Sequence, residues 1–283
     1  MAEIIKFGKN VEENLPVWNC RDKQIKYGND VLIMGIINVT PDSFSDGGHF
    51  IDPDAAIEHA LNLVNDGANI LDFGAQSTRP GYNEITPYQE INRLEPVLTK
   101  IRELTDVPIS VDTYFPTVAQ KAVEWGVDII NDVSGVYSKK MANIVKESKC
   151  GYIIMHNGSG NSKNMANFFR YMAREYEKCG IDASQICFDM GIGFGKDYEQ
   201  NLDLLANVKD YVIPGYPLLL GTSRKRVIAQ GSRQYDNPVE RVYGNIAADT
   251  AAIIGGVDIV RIHDVKNEKQ GIYMAQELRK WTR

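Results

Sequence analysis

Cysteine is scarce in this sequence: four of 283 residues, Cys20, Cys150, Cys179 and Cys187, with no CxxC pair among them. That spacing argues against a disulfide scaffold and against a zinc ribbon. Histidine is equally scarce, also four, and never clusters with cysteine at ligand spacing, so no tightly bound transition metal is expected. No apolar run approaches the roughly 20 residues that a membrane-spanning helix needs. The opening stretch MAEIIKFGKN has no apolar leader core, and the expectation is a cytoplasmic protein with reduced thiols and no membrane partner. An excess of basic charge is missing too, since the net charge is -6, which removes the general field needed to hold a phosphate backbone and makes nucleic acid an unexpected partner. A local cluster of Arg, Lys and His can still hold a small anion. Pro- or Ser-rich linkers and low-complexity tracts are absent as well, so the pattern reads as one domain.

What is present fits a large α/β core. The chain is near the ~250 residues usual for a (β/α)8 barrel, with 43% hydrophobic and 24% charged residues, so general disorder is not expected. Eight short apolar runs bounded by turn residues recur at 31–39, 69–74, 108–113, 129–134, 151–156, 186–191, 217–222 and 259–264. Their near-continuous apolar character suits strands buried on both faces, and the segments between them are long enough for helices. One helix is tested by Ile57, Ala60, Leu61 and Val64 at i, i+3, i+4 and i+7, with Asp54 as the expected cap, Gly67 as the stop and His59 on a solvated face. Another is expected to start at Asn237-Pro238 and run to Gly255-Gly256. Residues 1–30 read as an N-terminal extension in which VWNCRDKQIKYGN forms a small hairpin turning near Arg21-Asp22 and closing the bottom of a barrel that occupies 31–283.

Eight strands also suit an open doubly wound sheet, and the polar residues decide between the two. Functional groups end or follow every predicted strand: Asn38, the Ser77-Thr78-Arg79 loop, Asp112, Asn131, His156, Asp189, Ser223 to Lys225, and Arg261 with His263. A closed barrel brings all eight carboxyl ends to one mouth, whereas an open sheet leaves several far from its crevice. The fold class expected is therefore α/β, a single-domain (β/α)8 TIM barrel.

Two long loops enter that mouth, GIINVTPDSFSDGGHF (35–50) and GAQSTRPGY (74–82), both richer in polar residues and glycine than a tight connection requires. Arg79 in the second either pairs with a surface carboxylate or meets an anion. Asp112 and Asp189 follow apolar strand residues; each either caps a helix or faces a desolvated pocket where a carboxylate accepts from N–H pairs. Together with Asn38, Asn131 and Lys225 they suit a heterocycle with a guanidine-like edge. Arg261 and His263 alternate on the last strand and so point the same way, at the corner where barrel enzymes commonly hold phosphate, which suggests a diphosphate subsite. His156 and His49 have structural readings beside functional ones. GIGFGK (191–196) lacks the spacing of a phosphate loop and is followed by Asp197, so it is not read as one. Mg2+ carried in with a diphosphate needs only one or two protein oxygens.

The motifs NVTPDSFSDGG (38–48), STRPG (77–81), VDT (111–113), NDVSG (131–135), MH (155–156), FDMGIGFGK (188–196), GTSRK (221–225) and RIHD (261–264) resemble, in order, those of the dihydropteroate synthases of the pterin-binding barrel superfamily. The resemblance implies condensation of 6-hydroxymethyl-7,8-dihydropterin diphosphate with 4-aminobenzoate in folate biosynthesis, a homodimer, and a sulfonamide target. It also implies that Asp112, Asn131, Asp189 and Lys225 hold the pterin, with Asp112, Lys225 and Asn38 in the catalytic roles. Asn38, Arg79, Arg261 and His263 would hold the diphosphate, Asn38 and Asp46 its Mg2+, and Phe44, Thr78, Pro80, Phe194 and Ser223 the 4-aminobenzoate. Four features depart from the family pattern: Gln76 for a common Glu, Met190 for Pro, Arg226 for a frequent Ser, and the continuation HNGSGNSKNM at 156–165. A methyltetrahydrofolate:corrinoid methyltransferase would keep the ring-binding Asp and Asn but has no use for STRPG or SRK. A catalytically dead binding barrel should have decayed loops.

Overall fold

The computed structural model describes residues 15–40, 52–76, 84–234 and 237–282. An antiparallel hairpin, β1 (Val17–Cys20) and β2 (Lys23–Lys26), precedes eight strands: β3 (Leu32–Asn38), β4 (Ile70–Gly74), β5 (Ile109–Asp112), β6 (Ile129–Asp132), β7 (Gly151–Met155), β8 (Ile186–Asp189), β9 (Leu218–Leu220) and β10 (Ile259–Ile262). The eight are all parallel and close in the order β10-β3-β4-β5-β6-β7-β8-β9. Around them lie α1 (Pro53–Asp66), α2 (Pro87–Leu104), α3 (Pro116–Glu124), α4 (Lys139–Ser148), α5 (Ser162–Lys178), α6 (Tyr198–Ala206), α7 (Arg226–Ser232), α8 (Val242–Gly255) and α9 (Val265–Trp281). The expected TIM barrel is the observed fold.

Strand pleating sorts the core into two parts. Met34, Ile70, Ile129, Ile153, Cys187, Leu219 and Ile259 form an apolar layer packed on Trp18, Cys20 and Tyr27. The intervening residues, among them Ile33, Leu71, Ile130, Tyr152, Phe188 and Val260, belong to the larger cluster shared with the helices. Because side chains alternate between faces with a period of two, Asp72, Asn131, Asp189 and Arg261 stand directly above members of the inner layer. The same parity continues to Asn38 and His263. On β3, β4, β6, β8 and β10 one face is thus apolar at the amino end and polar at the carboxyl end.

The hairpin is the floor. Its turn uses Arg21 at φ 60°, and Arg21 is tied to the barrel through its N–H to Lys149 O at 2.7 Å. Trp18 is fully buried and donates from Nε1 to Gln185 O at 2.8 Å. Gly151 opens β7 without a side chain because a Cβ there would lie 2.5 Å from Cys20 Sγ. Truncating a fully buried Trp typically costs about 3–5 kcal/mol, so this floor is a major share of a marginal stability.

Three local expectations are corrected. The cap of α1 is Asp52, not Asp54: Pro53 takes the first helical position, and the Asp52 carboxylate accepts from the N–H groups of Asp54 and Ala55. Gly67 does end this helix, at φ 112°. The segment after Asn237 opens as a 3-10 turn, Pro238–Arg241, before α8 begins. His59 does not lie on a freely solvated face. It is half-buried beside Ala60 and hydrogen-bonds the Ile36 backbone, and burial lowers its pKa. No helix among the described residues is long and apolar enough to cross a membrane.

Candidate active site

At the carboxyl ends of the strands, Arg261 of β10 is held between two carboxylates. Its Nε lies 2.6 Å from Asp72 Oδ2 and its Nη2 lies 2.9 Å from Asp112 Oδ2. Burial opposes the charge of Arg261, but the two carboxylates outweigh it and hold the guanidinium more firmly protonated than usual. Asp112 is raised to about 7, first by burial, with Asp72 and Asp189 adding to the rise and Arg261 opposing it. Asn131, 1% exposed, contacts Asp72 Oδ2 through Nδ2 at 3.4 Å, and its Oδ1 has no partner among the described residues. An unpartnered buried oxygen of this kind costs free energy until a ligand donor reaches it.

Across the mouth, Asp189 ends β8 and accepts from Gly191 N–H at 2.7 Å. Burial raises its pKa, and Lys225 opposes that rise. Lys225 donates from Nζ to Ile192 O at 2.6 Å and lies 4.6 Å from the ring centre of Phe194. Its pKa falls to about 8 through burial, against the pull of Asp189. The GIGFGK segment is locked by Lys196, whose Nζ donates to the carbonyls of His156, Gly191 and Phe194 at 3.0, 2.8 and 3.2 Å. Gly191, at φ 63°, is required there, since a Cβ would meet His156 O at 2.0 Å.

His156 itself is structural. Its ring stands edge-on to Phe168 at 4.7 Å, and burial, then Lys196, pushes its pKa down to about 4. At the remaining corner, Ser223 Oγ meets both the backbone N–H of His263, at 3.2 Å, and His263 Nδ1, at 3.0 Å. Asn38 ends β3, half-buried, on the strand that pairs with β10. Among the described residues no three His, Cys, Asp or Glu side chains are grouped as metal ligands.

Asp112, Asn131, Asp189, Lys225 and Arg261 are thus brought together, with Phe194 against Lys225, and Ser223 is brought to His263. Phe44, Asp46, His49, Thr78, Arg79 and Pro80 lie outside the described residues. Two participants were missed by sequence reasoning. Asp72 had a signal, a lone acid in the apolar strand ILDFG at the same parity as Ile70. Lys196 had little, because a lysine following a glycine loop reads as solvated.

Gln76, Met190 and the 156–165 segment have local roles in the structure, and nothing in it explains Arg226. Gln76 donates to Tyr114 Oη at 2.8 Å and accepts from Ile85 N–H at 3.2 Å, bracing the two ends of the second loop without a charge. Met190 is fully buried and receives the Tyr211 hydroxyl at Sδ, 3.3 Å away. Arg226 is the exposed first residue of α7. In the 156–165 segment, Asn161 caps α5 and Ser162 N–H donates to Asp203 Oδ2 at 2.7 Å.

A closed parallel barrel with acids, an amide, a lysine and an arginine gathered at its strand ends is the class that this geometry defines. Residues 34–263 match the model of the family described as "Pterin binding enzyme". A dihydropteroate synthase of Clostridium beijerinckii is 38% identical over 262 residues, covering 89% of this chain and 96% of that protein. The crystal structure of the dihydropteroate synthase from Clostridium difficile, obtained in the presence of pteroic acid, aligns with TM-score 0.84 at 41% identity, covering 90% of this chain and 98% of that one. The Xanthomonas albilineans dihydropteroate synthase with 4-aminobenzoic acid aligns with TM-score 0.87 at 33% identity, covering 94% and 98%. The chain belongs to the pterin-binding enzyme family, among its dihydropteroate synthases.

Proposed function

We propose that this protein condenses 6-hydroxymethyl-7,8-dihydropterin diphosphate with 4-aminobenzoate, releasing 7,8-dihydropteroate and diphosphate. The observation that carries this reading is the single polar layer of Asp112, Asn131, Asp189 and Lys225 around an Arg261 pinned by two carboxylates. Asp189 and Asn131 accept and donate along the guanidine-like edge of a pterin, and Lys225 donates to the ring. Lys225 acts as a hydrogen-bond donor and not as a Schiff-base amine, because neither substrate has a reactive carbonyl.

A neutral arylamine is a weak nucleophile, so the pterin C–O bond breaks largely ahead of amine attack. Asp112 stabilises the positive charge that spreads into the ring. Arg261 and His263, with Arg79, hold the diphosphate as it leaves, and Ser223 and Phe194, with Phe44, Thr78 and Pro80, bind 4-aminobenzoate. Mg2+ arriving on the diphosphate would be held by Asn38, a neutral amide oxygen at the end of β3 on the strand beside β10, and by Asp46. When bound, that ion neutralises charge on the leaving group.

A homodimer is the assembly we propose. Met274, Leu278 and Trp281 form an exposed apolar stripe on α9 at i, i+4 and i+7, and Trp281 is 86% exposed. The test of the activity is diphosphate release from the pterin diphosphate in the presence and absence of 4-aminobenzoate. Release that requires the amine supports the reading; release indifferent to it rejects the synthase. Sedimentation of the pure chain tests the dimer.

A further inference from the structure

Helix α8 carries an unusual polar stripe. Arg241 at its N-cap, Asn245 and Asp249 follow at four-residue spacing, and they are 9%, 1% and 1% exposed. Side chains at that spacing share one helix face. Each meets a successive residue of the loop after β9. Thr222 Oγ1 donates to Asp249 Oδ1 at 2.6 Å, Asn245 Nδ2 donates to Ser223 Oγ at 3.4 Å, and Arg241 Nη1 donates to Arg224 O at 2.6 Å. The loop that presents Ser223 and Lys225 is therefore read, residue by residue, from behind.

The middle rung has a consequence for His263. A serine hydroxyl has one proton and two lone pairs. On Ser223 the lone pairs receive the His263 backbone N–H and the Asn245 amide. The hydroxyl proton is left for His263 Nδ1, 3.0 Å away. A ring nitrogen that accepts cannot carry its own proton, so a neutral His263 holds its proton on Nε2. Glu268, a 1% exposed residue of α9, faces the same Asn245 side chain, whose Nδ2 is turned to Ser223 and whose Oδ1 has no partner among the described residues.

We propose that Asn245 is a positioning residue that, by filling the second lone pair of Ser223, fixes His263 in its Nε2–H tautomer and so presents a neutral donor to the diphosphate. The proposal deepens the synthase reading, on which the identity of that anion rests.

Imidazole nitrogen NMR of the full chain, recorded where the rings are neutral, reads the tautomer without substrate or turnover. With only four histidines, assignment by single substitution is direct. The wild-type protein should show His263 as Nε2–H. Asn245→Leu keeps volume but removes the donor, so a population of Nδ1–H should appear. Asn245→Asp reverses the polarity, draws the Ser223 proton to itself, and should move the ring to Nδ1–H. In the assay, Asn245→Leu should raise KM for the pterin diphosphate about tenfold, the loss of one charge-assisted hydrogen bond, with kcat little changed.

A wild-type His263 in the Nδ1–H form overturns the proposal even if neither variant folds. So does an unchanged Nε2–H signal in both folded variants. Failure of the synthase reading looks different, since amine-dependent diphosphate release would be absent while the tautomer pattern stood.

Discussion

Asp72 Oδ2 and Arg261 Nε lie 2.6 Å apart, and the two residues stand 189 positions apart in sequence on strands separated only by β3. The pair is the floor of the candidate pterin pocket. Asp72 has no exposure at all, so its charge is stabilised mainly by the guanidinium. Removing one partner of such a buried pair commonly costs about 3–5 kcal/mol. Asp72→Asn should lower the unfolding temperature and weaken pterin binding together, and calorimetric scans with and without pterin measure both. Unchanged stability and affinity would reduce Asp72 to a bystander.

Asp112→Asn should cut turnover by about 10²–10³, the range for losing one preorganised electrostatic contact. A pH profile adds a second mark. The carboxylate is raised to about 7, so its ionised fraction, and with it kcat/KM, should fall as pH drops below that value. The variant should lack this inflection. A turnover near wild type would remove Asp112 from the chemistry.

Asp249 and Glu268, both buried under the loop after β9, should make the fold less stable in alkali. Burial is the first cause of each rise, to about 7 and about 8, and for Glu268 the nearby Asp249 and Asp264 add to it. Folded protein therefore binds more protons than unfolded protein above the ordinary carboxylate range, and stability falls as pH rises through those values. Glu268→Gln should raise the unfolding temperature near pH 8 more than near the ordinary carboxyl value of 4.5. Thermal scans of both proteins at the two conditions decide it. An equal effect at both would show that Glu268 does not titrate as its surroundings require.

4-Aminobenzoate should bind weakly to the free protein and much better once pterin, diphosphate and Mg2+ are present. Every residue assigned to the pterin except Lys225 sits on a strand. Phe44, Thr78 and Pro80, assigned to the amine, belong to two glycine-bearing segments, the second of which also carries Arg79, assigned to the diphosphate. Titration calorimetry before and after adding those ligands is the measurement. Equal affinity in both states would mean a subsite formed in advance.

The barrel was legible because its strands are apolar runs buried on both faces, and because the polar residues fell at their carboxyl ends. Parity alone gives Arg261 and His263 a shared direction. Asp72 is hidden in the sequence because it lies one inward position below the end of its strand, where Gly74 offers no functional group. Asn245 and Asp249 were hidden for another reason. In VYGNIAADTAAII a polar stripe at four-residue spacing looks like the solvated face of a helix, and only the packing of α8 on the loop after β9 turns it inward. The cap of α1 was misplaced by two residues because Asp52 and Asp54 are chemically equal, and the difference lies in Pro53 between them.

The hairpin at the base sets an order on how the chain matures. Trp18 and Cys20 leave the ribosome before any barrel strand, yet their resting place is lined by Met34 at one end of the sequence and Ile259 at the other. The hairpin, made before the barrel strands, is thus among the last elements to settle. Until β10 closes the ring, Trp18 has no complete socket, and its indole N–H waits for a carbonyl 167 residues downstream. In refolding, the fluorescence of Trp18 should therefore change late, after helical signal has been recovered, and a nascent chain stalled before β10 should leave the hairpin open to protease.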